Sequence, residues 1–411
     1  MNRSRRFLFC CERYFPSVGG VQEVLRQVAT RIAAAGDDVT VATGVWPGRP
    51  RDCVIDGVRV VSFDVSGNAI TGLSGAVAEY QSFLMTGGFD AVLIKAAQQW
   101  SFDASVPVLS RVPGRKVFIP CGFSGLEDPR YRDYYERMPG FLAHFDTLVF
   151  YSSTCSDYKF AVNHGFRNVG ILSNGADERE FSDLGDRDIR SRIAIPAGDL
   201  LVLSVGSSIP AKGHWELIES FRRAKLPGPA TLVINANPPA TGLIGRALRT
   251  ARRTIGGYLP LPLVAMRASS RGRRVLVTDL PRADVVSLFK AADLFVLASR
   301  VEYSPLVLFE AAAAGTPFLS TDVGNSREIT ELTGGGRILQ ARLAGTSRRH
   351  RSTFSSALSV ELASALSESS ALAEMGASGR AKFLSGAFQW RTLALAYRSI
   401  LLGSAPSCPG S

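Results

Sequence analysis

The stretch VEYSPLVLFEAAAAGTP (residues 301–317) places Glu302 and Glu310 on either side of a Ser-Pro step and ahead of a run of alanines. One helix through both residues would separate the two carboxylates by about 12 Å and turn them about 80° apart, which rules out a shared acid/base role. We therefore expect the helix to begin later, with Ser304 as its cap and Pro305 as its first residue. Glu302 then lies in the loop after a strand, and Glu310 lies inside the helix.

The start of this helix predicts an anion site. The amides of Leu306, Val307 and Leu308 have no partner within their own helix, and a phosphate or diphosphate fits such a positive helix end. Glu302 and Glu310 would repel a phosphate, so we expect each to accept hydrogen bonds from hydroxyls beside it. A ligand with a sugar on both sides of a diphosphate has this shape. For an isolated pair, a loop acid and a solvated helix residue remain the commoner explanation.

Outward from this stretch, short β-rich runs alternate with segments of helical period. The first half contains FLFC (7–10), DVTVATG (38–44), VRVVSFDV (58–65), DAVLIK (90–95), KVFIP (116–120) and DTLVFYSS (146–153). The second half contains LLVLSVG (200–206), ATLVIN (230–235), RRVLVTD (273–279), LFVLAS (294–299) and TPFLSTD (316–322). This alternation predicts parallel sheets covered by helices, and therefore an α/β fold with two doubly wound domains.

The domain boundaries follow from length and linker composition. A chain of 411 residues exceeds the usual size of a single core, and residues 173–199 form a polar, charged linker. We assign residues 1–175 to an N-terminal Rossmann-like domain and residues 176–387 to a C-terminal one. A helix over residues 388–404 completes the first domain. Ligands of such sheets bind beyond the carboxyl ends of the strands, so we expect the site in a cleft facing both domains.

Composition excludes several classes of protein. The six cysteines show no C-x-x-C spacing and the four histidines are scattered, so we expect reduced thiols, structural or solvated histidines and no metal site. No segment has the roughly 18 uninterrupted apolar residues of a membrane span, and the first residues lack the apolar core of a signal peptide. We therefore expect a cytoplasmic protein. The net charge of +11 alone does not distinguish nucleic acid, an anionic membrane surface or phosphorylated small molecules as partners.

Five segments in the correct order resemble the retaining GT-B glycosyltransferases of glycosyltransferase family 4. They are FPSVGGVQEVLRQVATRIAAAGDDVTVATG (15–44), ILSNGAD (171–177), LSVGSSIPAKGHWELIESF (203–221), RADVVSLFKAADLFVLAS (282–299) and ASRVEYSPLVLFEAAAAGTPFLSTDVG (298–324). The resemblance spans roughly residues 7–324 and adds an aromatic C-terminal helix that in the family crosses back to the first domain. It implies a GT-B fold, with two Rossmann-like domains facing a central cleft.

The resemblance also implies roles for individual residues. Lys212 contacts the donor diphosphate, Glu310 binds the nucleotide ribose, and Glu302 binds the donor sugar or its neighbourhood, so that Glu302 and Lys212 are the catalytic candidates. Further donor-binding candidates are Gly20, Gly206, Ser207, Ser304, Leu306 and Val307, and the acceptor-side candidates are Gly19 and Cys121. The implied reaction moves a sugar from a nucleotide-diphosphate-sugar, with retention, to a glycan or polyprenyl-linked acceptor in cell-surface polysaccharide or glycolipid synthesis. No metal or other cofactor is expected.

Two departures from the family pattern keep an alternative open. Ser207 replaces an arginine expected to contact the diphosphate, and Cys121 replaces a histidine near the acceptor. A thiol does not reproduce the donor and acceptor pair of imidazole. The alternative is a catalytically impaired protein that binds a nucleotide-sugar or a partner. Arg13 and Lys95 are candidates for the missing cation.

A basic stretch, TGLIGRALRTARRTIGGYLPLPLVAMRASSRGRR (241–274), contains no acidic residue. Its first part places Ile244, Leu248 and Ile255 opposite arginines, which is compatible with a peripheral position on an anionic membrane. An arginine-rich helix packed on its own domain is the other interpretation. Because the chain lacks a recognisable nucleic-acid module, we expect no nucleic-acid partner.

Overall fold

The structure is a computed structural model that describes residues 3–183, 188–237, 258–270, 272–343, 345 and 347–404. The chain separates into two compact units. Unit 1 comprises Met1–Gly175 together with Phe388–Ser411, and unit 2 comprises Ala176–Ala387. Each unit contains a sheet of mainly parallel strands, as the alternation of strand and helix in the sequence predicts.

Unit 1 is organised around an eight-stranded sheet in the order β10-β9-β8-β7-β1-β2-β4-β3. Its strands are β1 Arg6–Cys10, β2 Asp38–Gly44, β3 Asp52–Ile55, β4 Val58–Phe63, β7 Ala91–Lys95, β8 Arg115–Ile119, β9 Thr147–Phe150 and β10 Val169–Ile171. The pairs are parallel except for β3 with β4. The β7 and β9 strands are buried along their whole length, since helices cover both faces of such a sheet.

One predicted strand is in fact two. The run at residues 58–65 ends as β4 at Phe63, and β5 (Val65–Asn68) pairs with β6 (Gly72–Gly75) as a separate antiparallel hairpin. The carbonyl of Asp64, between β4 and β5, accepts the amide of Ala76 at 2.8 Å. This hydrogen bond draws the chain out of the main sheet and into the hairpin.

Most helices of the described residues lie between strands along the chain, and the last three follow the last strand. They are α1 Gly20–Ala34, α2 Val77–Thr86, α3 Trp100–Asp103, α4 Arg132–Leu142, α5 Ser156–Asn163, α6 Ile189–Arg192, α7 His214–Arg223, α8 Leu261–Ala268, α9 Arg282–Ala291, α10 Leu306–Ala314, α11 Ser326–Thr333, α12 Arg348–Ser367, α13 Ser369–Leu384 and α14 Trp390–Leu401. Short 3-10 turns cover Val106–Arg111, Pro129–Tyr131 and Pro210–Lys212. Helix α1 begins at Gly20 and ends at Ala34, two residues before Gly36, whose φ is 98°.

The last helix belongs to unit 1 although the chain reaches it after unit 2. In α14, Trp390, Leu393, Tyr397 and Leu401 are each 2% exposed or less. The helix packs against α1 and against strands β7 and β8. Its near-helical spacing of aromatic and leucine residues therefore reports a buried face, as the sequence predicts.

Unit 2 contains a six-stranded parallel sheet in the order β13-β12-β11-β14-β15-β16. Its strands are β11 Leu200–Ser207, β12 Ala230–Asn237, β13 Arg273–Thr278, β14 Leu294–Leu297, β15 Phe318–Ser320 and β16 Gly336–Ile338. Counted along the chain, this is the 3-2-1-4-5-6 order of a Rossmann sheet. The order reverses between β11 and β14, which pair through Val202 with Leu294 and Leu203 with Phe295. This reversal marks where a ligand of the fold is expected.

Candidate functional site

Two loops meet at the strand reversal of unit 2. One loop follows β11 and contains the Pro210–Lys212 turn, and the other follows β14 and leads into α10. The amide of Arg300 donates to the carbonyl of Ala211 at 2.8 Å, which fastens the second loop to the first. Residues far apart in the sequence therefore form one site at the carboxyl edge of the sheet.

Lys212 and Glu302 lie in contact at this edge. Lys212 Nζ donates to Glu302 Oε1 at 2.6 Å, and Ser299 Oγ donates to the same oxygen at 2.7 Å. The Lys212 side chain is 24% exposed and that of Glu302 is 12% exposed. An ammonium group has three donors, so Lys212 keeps N–H groups for a second anion while Glu302 balances its charge.

Two glycines set the position of Lys212. Gly213 follows it with φ 69° and ψ 14°, a left-handed conformation that favours glycine. A Cβ on Gly213 would lie 2.0 Å from the carbonyl oxygen of Ala298, just after β14. A Cβ on Gly206 would lie 3.4 Å from Lys212 Cδ, so the stem of the lysine packs beside that glycine. Gly213 thus allows both the turn and its close approach to β14.

Helix α10 begins at Leu306, one residue later than predicted. Its N-cap is Pro305, with φ −71° and ψ 112°, and no side chain caps the helix. The assignment of Ser304 as cap and of Pro305 as the first helical residue was therefore wrong. The extended ψ of Pro305 places this residue before the helix. Ser304 consequently lies one position too early to cap it.

The first amides of α10 are open as predicted, with one exception. Leu308 donates to the carbonyl of Pro305 at 3.3 Å. For the amides of Leu306 and Val307 no acceptor is found among the residues that the structure describes. These two donors lie in the chain immediately after the loop that holds Glu302.

Glu310 is held by an arginine that sequence reasoning missed. Its side chain is 8% exposed and pairs with Arg282 at 2.6 Å, while Arg282 also binds Glu180 at 2.5 Å. Burial opposes the charge of Arg282, but the two carboxylates raise its pKa well above the ordinary value. A usable signal existed in the sequence: Arg282 is the first residue of α9, where the positive helix end disfavours a cation unless a carboxylate compensates it.

His214, the first residue of α7, is also part of the site. It is 1% exposed, and burial together with the charge of Lys212 lowers its pKa to about 4. The ring is therefore neutral at neutral pH. A Cβ on Gly206 would lie 3.6 Å from His214 Nε2, which places the imidazole beside the end of β11. The expectation of structural or solvated histidines agrees with a buried His214 and with the exposed His144, His164 and His350.

The remaining donor-side candidates, Ser207 and Gly20, and the acceptor-side candidates, Gly19 and Cys121, are more scattered. Ser207 is exposed at the end of β11, and in unit 1 Gly19 is the N-cap of α1 with Gly20 as its first residue. Cys121 follows β8 with φ 61° and is partly buried. Burial raises the pKa of its thiol, an effect that the nearby Lys95 opposes.

The two residues considered as a second cation both lie in unit 1. Lys95 is 1% exposed, donates to the hydroxyl of Tyr151, and has a pKa lowered by burial. Arg13 is 51% exposed and pairs with Glu12 at 3.7 Å. Neither residue therefore belongs to the unit that contains Ser207.

Three further expectations concern a metal site, a membrane-spanning helix and the basic amphipathic stretch. Within the described ranges, no group of three His, Cys, Asp or Glu side chains could hold a metal ion, and the cysteines described there form no disulfide. None of the described helices has both the length and the apolar character needed to cross a membrane. The amphipathic stretch with Ile244, Leu248 and Ile255 lies outside the described residues.

Comparison with known proteins gives a family match that includes the residues of this site. Residues 200–344, which include both loops of the site, match the family Glycosyl transferases group 1. The D-inositol 3-phosphate glycosyltransferases of Mycobacterium tuberculosis and Mycobacterium bovis are 30% identical over 159 residues, which is 38% of this chain. That alignment spans 29% of the length of those relatives.

Solved structures resemble nearly the whole chain. Sucrose-phosphate synthase from Thermosynechococcus elongatus has a TM-score of 0.72 at 17% identity, over 97% of this chain and 100% of that one. Anabaena HepE in complex with UDP and glucose has a TM-score of 0.68 at 15% identity, with the same coverage. At these identities the likeness establishes the fold, which is the predicted α/β fold of GT-B type. Residues 200–344 of the second unit therefore match a glycosyl transferases group 1 model, in a chain whose fold is of GT-B type.

Proposed function

We propose that the protein is a retaining glycosyltransferase that moves a sugar from a nucleotide-diphosphate-sugar to a glycan or polyprenyl-linked acceptor. The observation that carries this proposal is the contact of Lys212 with Glu302 at the strand reversal of a group 1 domain, beside the open amides of α10. A cation, two free amides and a carboxylate match a ligand with a diphosphate and sugar hydroxyls. HepE, a neighbour in fold, has been solved with UDP and glucose.

Each residue of the site would act at a defined part of the donor. Lys212 would stabilise the negative charge that develops on the diphosphate as the glycosidic bond breaks. The amides of Leu306 and Val307 would bind phosphate oxygens. Glu302 would accept hydrogen bonds from the transferred sugar, and Glu310, oriented by Arg282, from the ribose.

Retention requires no protein nucleophile in this scheme. A donor phosphate oxygen would take the acceptor proton on the face from which the diphosphate leaves. Gly19 and Cys121 of unit 1 would contribute to the acceptor side, and Gly20 to donor binding. The scheme uses no metal or other cofactor. A setting in polysaccharide or glycolipid synthesis, in the cytoplasm and peripheral to the membrane, belongs to the same proposal.

A second candidate function rests on Ser207 and Cys121. Ser207 is exposed at the end of β11 and supplies no charge to a diphosphate, and Cys121 supplies no imidazole. These residues favour a protein that binds a nucleotide-sugar without transferring the sugar. The two functions differ in turnover and agree in nucleotide binding.

The test begins with a thermal-shift screen against UDP, GDP, ADP and their sugars. We expect one nucleotide series to stabilise the protein, and we expect donor hydrolysis or transfer with that series. Lys212→Ala should lower kcat by at least about tenfold, because it removes a charge that acts in the transition state. The exposed Lys225→Ala is the matched control and should change nothing.

A second pair of variants addresses the ribose contact. Glu310→Ala should weaken nucleotide binding, while Glu331→Ala, an exposed glutamate of the same unit, should not. Lost turnover with unchanged nucleotide affinity in Glu310→Ala would contradict the ribose role. Nucleotide binding without turnover in the wild-type protein would favour the second candidate, and no binding of any nucleotide would reject both.

A further inference from the structure

Arg300 joins the two loops of the site through its backbone. Its amide donates to the carbonyl of Ala211 at 2.8 Å, and Ala211 immediately precedes Lys212. Two residues after Arg300, Glu302 accepts from Lys212 Nζ at 2.6 Å. The position of Arg300 therefore affects both the loop that carries the lysine and the loop that carries the glutamate.

The side chain of Arg300 is fixed on helix α7. It is 10% exposed, and its Nη2 donates to Glu216 Oε1 at 2.8 Å and to the hydroxyl of Tyr258 at 2.7 Å. Glu216 is 2% exposed and lies in the first turn of α7, four residues after Lys212. A carboxylate is favoured at this positive helix end, and it compensates the buried guanidinium. The ion pair thus attaches the loop after β14 to the helix that begins beside Lys212.

Tyr258 completes a buried cluster with Arg300 and Glu216. It is 6% exposed, and its hydroxyl accepts from Arg300 and donates to Glu216 Oε1 at 3.3 Å. The guanidinium of Arg351 lies 4.3 Å from the centroid of its ring, which holds the ring from another side. These three residues, called the Arg300 cluster below, come from three separate segments of the chain. Their hydrogen bonds join them to one another, so an effect on a donor would pass through the two loops.

We propose that Arg300 is a positioning residue: held by Glu216 and Tyr258, it sets the place of Lys212 and Glu302 at the diphosphate and sugar of a donor. This inference rests on the proposed function and deepens it. A misplacement of about 1 Å at a reacting group lowers a rate by up to about hundredfold, so a loop that carries such groups needs a fixed attachment. The Arg300 cluster supplies that attachment without contacting the substrate.

A double-mutant cycle measures this role. Isothermal titration calorimetry with UDP or GDP, whichever binds, should show Lys212→Ala weakening the affinity by about tenfold, as for one charge-assisted hydrogen bond. The neutral pair, Arg300→Met with Glu216→Gln, removes the cluster and leaves no buried charge. In that background Lys212→Ala should weaken the affinity by at most about threefold. With a donor that turns over, the loss of kcat caused by Lys212→Ala should shrink in the same way.

The control pair is Arg190→Met with Asp293→Asn. Arg190 is 21% exposed and binds Asp293 at 2.9 Å, just before β14, whereas Arg300 lies beyond the carboxyl end of the same strand. The control therefore also removes a partly buried ion pair from unit 2, but at the opposite edge of the sheet. Lys212→Ala should keep its tenfold loss in this background, because lowered stability alone does not change what Lys212 contributes to binding.

Tyr258→Phe is a milder variant of the Arg300 cluster. It removes one hydroxyl and keeps the ring beside Arg351. The loss caused by Lys212→Ala should fall below about fivefold in this background. This variant decides the question if the neutral pair does not fold.

Two results would overturn the inference and leave the proposed function intact. One is a tenfold loss that persists in the neutral pair, or in Tyr258→Phe if that pair does not fold. The other is an equal reduction of the loss in the neutral pair and in the control pair, because the effect would then follow stability. If Lys212→Ala cost nothing in the wild-type background, or if no nucleotide bound at all, the proposed function itself would fail, and this inference with it.

Discussion

Gly213 offers the sharpest test of how the site is built. Gly213→Ala places a Cβ at a φ of 69° and 2.0 Å from the carbonyl oxygen of Ala298. The backbone conformation alone costs about 1 kcal/mol, and an overpacked contact adds about 1–3 kcal/mol. The oxygen belongs to backbone and has no flexible side chain to move away. We therefore expect a loss of about 2–4 kcal/mol of unfolding free energy in unit 2.

This loss corresponds to a large thermal shift. For a unit of 150–250 residues, 1 kcal/mol lowers Tm by about 2–4 °C, so the expected decrease is about 4–16 °C. Differential scanning calorimetry measures it, and the transition of unit 2 is identified as the one that the bound nucleotide raises. The control is Gly228→Ala, because a Cβ at Gly228 meets nothing within 4 Å.

A third variant separates the two causes of the loss. Asn tolerates positive φ better than Ala does but still carries a Cβ, so Gly213→Asn should keep most of the destabilisation if the contact with Ala298 dominates. If the unfolding free energies of Gly213→Ala and Gly228→Ala agreed within about 0.5 kcal/mol, the close approach of the turn at Gly213 to Ala298 would be refuted.

Two further substitutions probe buried charge in unit 2. Burial lowers the pKa of His214 from 6.5 to about 4, so between these pH values the unfolded chain binds more protons than the folded chain does. The free energy of unfolding therefore falls as the pH drops from 6.5 to 4, by about 3 kcal/mol in total. Urea unfolding at several pH values should show that the slope of unfolding free energy against pH is smaller in His214→Asn and unchanged in His164→Asn. Equal slopes in the two variants would contradict the lowered pKa of His214. Arg282→Met leaves the carboxylate of Glu310 buried without its cation, and since Arg282 is 42% exposed we expect a cost of about 2 kcal/mol. Arg222→Met, which removes the more exposed ion pair of Arg222 with Glu219, should lower the unfolding free energy by less than about 1 kcal/mol in the same measurement. Equal losses in the two variants would refute the role of Arg282 as the cation that compensates buried Glu310.

The sequence predicts the elements of the fold because local periodicity determines them. The five runs of the second half all contain a strand, and the reversal at β11 and β14 brings together Lys212 and Glu302 as the motif order implies. The missed division of residues 58–65 depended on a hydrogen bond from Ala76 to Asp64, which no local pattern encodes. Periodicity identifies a strand, and tertiary contacts decide where it leaves the sheet.

The sequence names the motif residues of the candidate site but not the residues that support them. Arg282 and Arg300 are single arginines whose partners, Glu310 and Glu216, lie elsewhere in the chain. Pairing of this kind depends on which helices and loops become neighbours, and spacing along the sequence does not report it. The misplaced helix start shows the same limit, because Ser304 and Pro305 both fit their assigned positions by propensity.

Topology alone offers two places for an anion, and side-chain burial decides between them. The strand order also reverses in unit 1, between β1 and β7, and Lys95 ends β7 there. That lysine is 1% exposed and donates to the hydroxyl of Tyr151, and burial lowers its pKa. A diphosphate could therefore not reach it, and burial disfavours the positive charge that would attract the diphosphate. Lys212 at the reversal of unit 2 is 24% exposed and charge-balanced by Glu302. Because Lys212 combines access with a carboxylate partner and Lys95 does not, we place the diphosphate of the proposed donor in unit 2.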